Sequence, residues 1–138
     1  MTTYDASIEI HSETLSLADL ASLLGLAPSD ESHDRGTPRA GGGTWNATIW
    51  RVNSQVGESA SLEEHCADAL ARALASGLFG RGAGSVPEGV RVVLNVTVFF
   101  YTACCTVSLP PSCLRAVRSY PLEVEVSCYP SSDGAGDG

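Results

Sequence analysis

Arg35 and Arg39 flank Gly36 and Pro38 in a long polar stretch. Two guanidiniums on a glycine-bearing loop can fork onto a carboxylate or a phosphate, because each offers a planar pair of N–H donors. The competing use is structural, with the arginines tying the loop to Asp30, Glu31 or Asp34, and the residue types favour it. A second constellation joins Glu9 and His11 with Glu123 and Glu125. If their strands share a sheet, these side chains share its outer face with Tyr101 and Tyr129. Carboxylates beside a histidine suit acid–base work when burial shifts a pKa, and His11 with those glutamates is a conceivable zinc set. A solvated sheet face explains them equally well. The histidines His11, His33 and His65 lack ligand-pair spacing and are expected at the surface or as caps.

Other chemistry is poorly supported. No G-x-S-x-G marks a serine nucleophile. Gly80, Gly82 and Gly84 precede a strand instead of opening a helix, the wrong setting for a phosphate loop. Cys66, Cys104, Cys105, Cys113 and Cys128 form no C-x-x-C, and neighbours on a strand point to opposite faces. Free thiols acting as small buried hydrophobes are expected. No cofactor and no metal are expected, and no catalytic residue stands out. The Asn46-Ala47-Thr48 and Asn95-Val96-Thr97 sequons carry meaning only in an exported chain.

The charge pattern narrows the partners. All eight basic residues are arginine, with no lysine, and the net charge is −8. With abundant Ala and Gly, this usage suggests a GC-rich bacterial genome. Such a charge repels phosphate backbones, whose binding needs Lys and Arg, so nucleic acid is excluded as a partner. No run approaches the roughly 20 apolar residues of a membrane helix. Met1-Thr2-Thr3-Tyr4-Asp5 lacks the regions of a secretory signal, so a cytoplasmic protein is expected. An acidic surface favours solubility and can steer a basic protein partner.

The elements that must position these residues follow from periodicity. Residues 4–11 alternate, with Tyr4, Ala6, Ile8 and Ile10 on one face, as in a half-buried strand. Ser16 caps a short helix with Leu17, Leu20, Leu23 and Leu24 as its stripe, stopped by Gly25. Residues 27–44 make a long loop, either functional or disordered. A strand over 45–53 follows in ambiguous register: Trp45, Ala47 and Ile49 compete with Trp50 and Val52 for the core. Ser61-Leu62-Glu63-Glu64 is a capping box opening a helix to about Leu78, buried along Leu62, Cys66, Ala69, Leu70, Ala73 and Leu74. A glycine-rich connection over 77–89 should be mobile. The strand over 90–103 turns Val90, Val92, Leu94, Val96, Val98 and Phe100 to one face, and 104–109 can return as a hairpin with Cys105, Val107 and Leu109 inward. Pro110-Pro111 starts a third helix with Leu114 and Val117 inward. A last strand over 122–129 turns Leu122, Val124, Val126 and Cys128 to the core.

This predicts one α+β domain over 1–130 and a disordered tail over 131–138. Its single, mainly antiparallel, mixed sheet has four or five strands with two or three helices on one face, in the order β-α-β-α-β-β-α-β.

Taken in order, these pieces resemble the bacterial family catalogued as domain of unknown function 4279. The resemblance covers about residues 4–130. It rests on Tyr4-Asp5-Ala6-Ser7-Ile8-Glu9-Ile10, Leu24-Gly25-Leu26-Ala27-Pro28 and Arg35-Gly36-Thr37-Pro38-Arg39. It continues through Thr48-Ile49-Trp50, Leu62-Glu63-Glu64-His65 and the proline-led helix with its strand ending at Tyr129. The chain departs at Gly80–Gly89 and at the triplet Gly41-Gly42-Gly43. The resemblance implies a fold and brings no activity, cofactor or catalytic residue.

Two functions from different classes follow. The first is a small acidic protein-binding module without catalysis, possible in immunity-type neutralisation of a basic toxin. Its contact residues would be Phe99, Tyr101, Tyr129 and Trp45 or Trp50, since aromatics are enriched where proteins meet. A homodimer pairing sheet faces or edges is a further option. The rival is a small ligand-binding domain or enzyme, which needs Arg35, Arg39, His11 and Glu9 to converge on one concavity.

Overall fold

Each helix starts and stops where local chemistry dictates. Ser16 accepts from the Asp19 amide at the head of α1 (Leu17–Leu24), and Gly25 closes it with a left-handed φ of 72°. Ser61 and Glu64 form the reciprocal capping box of α2 (Leu62–Ala75), and Pro111 occupies the first turn of α3 (Pro111–Ser119), where a missing N–H costs nothing. The strands are β1 (Thr3–Ser12), β2 (Thr48–Asn53), β3 (Val90–Phe100) and β4 (Glu123–Pro130). The structure, a computed structural model, describes residues 2–29, 31–80, 86–101 and 106–131.

The α+β class holds: one mixed sheet in the order β2-β1-β3-β4. β1 pairs antiparallel with both β2 and β3, and β4 joins β3 in parallel. Among the described residues the order is β-α-β-α-β-α-β, with no hairpin strand after β3. Residues 106–109 of that hairpin lie outside any strand, while 104 and 105 fall outside the described residues. The reason is topological: both sides of β3 are occupied, by β1 and β4, leaving no edge for a return strand. The connection over 81–85 and the tail over 132–138 also lie outside the described residues.

The core forms where the helices cover one sheet face. Ile8, Ile10, Trp50, Leu94, Val96 and Val98 meet Leu20, Cys66, Ala69 and Ala73 there. Pairing with β1 fixes the register of β2, because Ile10 opposes Trp50 and Ile8 opposes Val52. Trp45 lies outside β2, which begins at Thr48. Two inward expectations fail. Leu114 and Val117 are 52% and 42% exposed, while Cys113 and Ala116 are buried: α3 turns its small side chains inward. Val126 and Cys128 are also exposed, as expected for the outermost strand among the described residues.

The described residues of the 27–44 loop are tied to the sheet. His33 forms a two-way backbone bridge with Ile49, and Gly36 and Thr37 exchange backbone bonds with Trp45. The loop thereby pairs along the free edge of β2, a standard protection for an exposed strand edge. Its start is clamped as well. Trp50 donates its indole N–H to the Ala27 carbonyl at 3.0 Å, and the Ala27 amide donates to the Ser76 carbonyl at 2.8 Å. The Gly25 carbonyl lies so near Gly77 that a Cβ on Gly77 would meet it at 2.2 Å. Leu24-Gly25-Leu26-Ala27-Pro28 is therefore a joint between α1, the end of α2 and β2. The described helices include none long and apolar enough to cross a membrane.

Candidate functional site

On the uncovered face, period-two alternation brings Glu9 between Arg51 of β2 and Val93 of β3. The Glu9 carboxylate is 5% exposed and accepts from Ser7 Oγ at 3.1 Å, His11 Nε2 at 2.9 Å and Asn95 Nδ2 at 3.2 Å. Arg51 adds an ion pair at 3.1 Å. Burial pushes this acid up, but the bonds from His11 and Asn95 and the charges of Arg51 and His11 outweigh it, leaving a pKa of about 2. A general base works best with a pKa near the operating pH; Glu9 is displaced the other way and its lone pairs are taken. Beside it, Arg91 binds Glu123 at 2.8 Å and Glu125 at 3.0 Å, and its hydrogen bond holds Glu123 below the usual carboxylate range. These glutamates are therefore partners of an arginine, and the described residues contain no group of three or more metal-ligating side chains.

The arginines of the loop do not join that face. Arg35 donates its guanidinium to the Glu13 carbonyl, and Arg39 lies 4.7 Å above the Trp45 ring. Trp45 in turn stacks on His33 at 4.2 Å. Among the described residues, Arg35 is thus held by a backbone carbonyl and Arg39 by an aromatic ring. Of Arg35, Arg39, His11 and Glu9, only His11 lines the hollow of about 370 Å³ beside Gly89 and Arg91. Trp50 is 1% exposed and serves the core. Phe99 does face outward, but it stacks on Tyr129 at 5.9 Å; Tyr101 is half-buried beyond the end of β3.

A cleft of about 260 Å³ lies where β1 starts and β2 and β3 end, reaching from Phe99 to His65. His65 is 3% exposed, contrary to the expected surface position. Its place three residues after Leu62 and four before Ala69 was the available signal, since that spacing lies on the buried stripe of α2. Its Nδ1 is 2.7 Å from Ser54 Oγ, which donates to Asp5 Oδ1 at 3.0 Å. A serine, a histidine and an aspartate thus meet, yet in the wrong order for nucleophilic catalysis. Ser54 has one hydroxyl proton, and the acceptor-only carboxylate of Asp5 takes it. His65 Nδ1–H must then donate to Ser54 Oγ, whereas an activated serine gives its proton to the imidazole. The nearby amides are also committed: Ser54 to the Ala6 carbonyl at 2.8 Å and Gln55 to Asp68 at 2.7 Å. Neither is free to hold an oxyanion.

Cys66 and Cys113 are free and buried, and burial pushes the Cys66 thiol up to about 12, which suits packing and not reactivity. A larger hollow, about 420 Å³, lies between Ala27–Ser29 and the end of α2, with Glu31 and Arg72 in its wall. Arg72 Nε is engaged by the Asn53 carbonyl at 3.1 Å.

Compared with known proteins, residues 2–131 match one family model, described as a domain of unknown function (DUF4279). No curated protein matches the chain, and no solved structure does.

Proposed function

Because the chain belongs to the domain of unknown function 4279 family, whose description assigns no activity, its surface must carry the argument, and we propose a small protein-binding module without catalysis. The partner docks at the sheet end where Phe99 and Tyr129 stand. One observation carries this: the two rings stack on each other while remaining 38% and 52% exposed. Aromatic pairs held rigid at the surface supply large contact area with little conformational entropy to lose, and residues of this kind dominate binding hot spots. The net charge of −8 and the Asp5 and Glu58 carboxylates beside Phe99 favour a basic partner surface through long-range attraction. The acid–base alternative is disfavoured by the depressed pKa of Glu9. Buried free thiols at Cys66 and Cys113 suit a reducing compartment, consistent with work in a bacterial cytoplasm.

The test is a double variant, Phe99→Ser with Tyr129→Ser, used as bait in the native host. Both side chains are exposed, so thermal stability should change by no more than about 1 kcal/mol in total. Recovery of a specific partner should drop at least about tenfold, the equivalent of a modest hot spot. Undiminished recovery with the fold intact would overturn the proposal.

A further inference from the structure

The two margins of the sheet are built differently. Along β2, the loop bonds the strand through His33 and Ile49. Along β4, no described residue pairs with the side that faces away from β3. β4 is eight residues long, and all of them except Val124 and Ser127 are exposed. The N–H and C=O groups on that side form a ready template for one more strand.

The side chains bear on which strand that is. Register with β3 sets Val124, Val126 and Cys128 opposite Leu94, Val96 and Val98, on the face the helices cover. Val96 and Val98 are fully buried, yet Val126 is 44% exposed and Cys128 is exposed too. The helical layer therefore stops short of this margin and leaves an apolar row beside an open backbone. Glu123 and Glu125 occupy the other face, and charges of this kind ordinarily keep strand margins apart. Here Arg91 reaches across from β3 and binds both, at 2.8 and 3.0 Å. One guanidinium thus offsets half of the deterrent charge from within the chain.

We propose that β4 pairs antiparallel with β4 of a second copy, about a two-fold axis through Val126, joining the two sheets into one. In this register Val124 faces Cys128, Val126 faces its own counterpart, Glu125 faces Ser127 and Glu123 faces Tyr129. Apolar meets apolar, and each carboxylate meets a hydroxyl able to donate to it. The neighbouring registers are worse. Centring on Val124 or Glu125 sets glutamate opposite glutamate, a destabilising pair. Centring on Ser127 brings Pro130 opposite Val124 and into the ladder, where it has no N–H to give. Centring on Val126 leaves Pro130 beyond the paired residues. Self-complementarity about one residue is what an isologous contact requires, and it favours a second copy over an unrelated strand. The outer faces stay open, so each copy still offers Phe99 and Tyr129. The inference goes beyond the docking reading and does not depend on it.

Sedimentation velocity of the purified full chain over a concentration series should show a reversible monomer–dimer equilibrium, micromolar for so small a contact. Each copy carries a net charge of −8, so added salt should strengthen the dimer by screening. Val126→Lys, which sets two ammonium groups on the axis, should weaken dimerisation at least about tenfold. Val126→Thr should retain it, and both variants should keep the wild-type circular dichroism. Cross-linking reads the register. In a Cys128→Ser background with glutathione disulfide as oxidant, Val126→Cys should give a disulfide-linked dimer and Glu123→Cys should not. A monomer at every concentration, dissociation on adding salt, indifference to Val126→Lys, or equal cross-linking from positions 123 and 126 would overturn the inference. No partner is present in these measurements, so their failure leaves the Phe99–Tyr129 docking surface standing. Undiminished partner recovery by the Phe99 and Tyr129 variant would remove that surface and leave the dimer standing.

Discussion

Glu9→Gln is expected to lower the stability of the protein at pH 7 by about 3 kcal/mol, with the loss fading as the pH drops toward 2. The magnitude follows from the pKa, which folding depresses from 4.5 to about 2, at about 1.4 kcal/mol per unit. The sign follows from linkage. A carboxylate depressed on folding contributes fully above its unfolded pKa and loses that contribution as the pH falls through its folded pKa. The wild type should therefore approach the variant between about pH 4.5 and pH 2. The variant keeps the shape of the side chain but leaves the Arg51 guanidinium without its carboxylate, and breaking a buried pair from one side is among the costlier single changes. Urea unfolding at several pH values checks this; a stability gap that stays constant from pH 7 to pH 2 refutes it.

Gly77→Ala is expected to cost about 3 kcal/mol or more, which is the second large effect. Gly77 has a φ of +107°, and left-handed or extended positive values cost a side-chain-bearing residue about 1–3 kcal/mol. The added Cβ would also sit 2.2 Å from the Gly25 carbonyl oxygen. Backbone must move to relieve that contact, prising the end of α1 from the end of α2 and straining the Ala27 bonds to Ser76 and Trp50. Gly41→Ala is the control, because a Cβ there meets nothing within 4 Å, and it should change stability by less than about 0.5 kcal/mol. Thermal unfolding that treats the two substitutions alike would show that the joint does not carry this weight.

Local patterns were legible in the chain wherever one residue's environment depended on its near neighbours. The alternation of Ala6, Ile8 and Ile10, the Ser61–Glu64 box and the stop at Gly25 all specify their elements without reference to distant sequence. The parallel pairing of β4 was not, because Val124 and Val126 alternate identically in a parallel or an antiparallel strand. Side-chain size misled at α3: Leu114 and Val117 look like the core stripe, yet the buried positions are Cys113 and Ala116. At the outer face, Glu9 and His11 were recognisable as neighbours on one strand, and the two elements that complete their network, Arg51 and Asn95, emerge only from the pairing of β2 and β3 with β1. Asp5, Ser54 and His65 come from a strand, a strand exit and a helix, and nothing in their spacing announces that they meet. The Arg35–Arg39 and Leu24–Pro28 segments read as signatures, while the contacts they make across the loop and the joint involve residues distant in sequence.

The loop that runs along β2 also gives the molecule two optical reporters with separate jurisdictions. Trp45 sits half-buried between the His33 ring and the Arg39 guanidinium, while Trp50 is sealed at 1% exposure. Emission from Trp50, isolated by Trp45→Phe, should be blue-shifted and shielded from acrylamide until global unfolding. Emission from Trp45, isolated by Trp50→Phe, should be quenched by acrylamide in the native state and should report detachment of the loop as its own transition. Equal quenching of the two would contradict the sandwich. Fluorescence can thus distinguish peeling of the sheet's guarded edge from melting of its core.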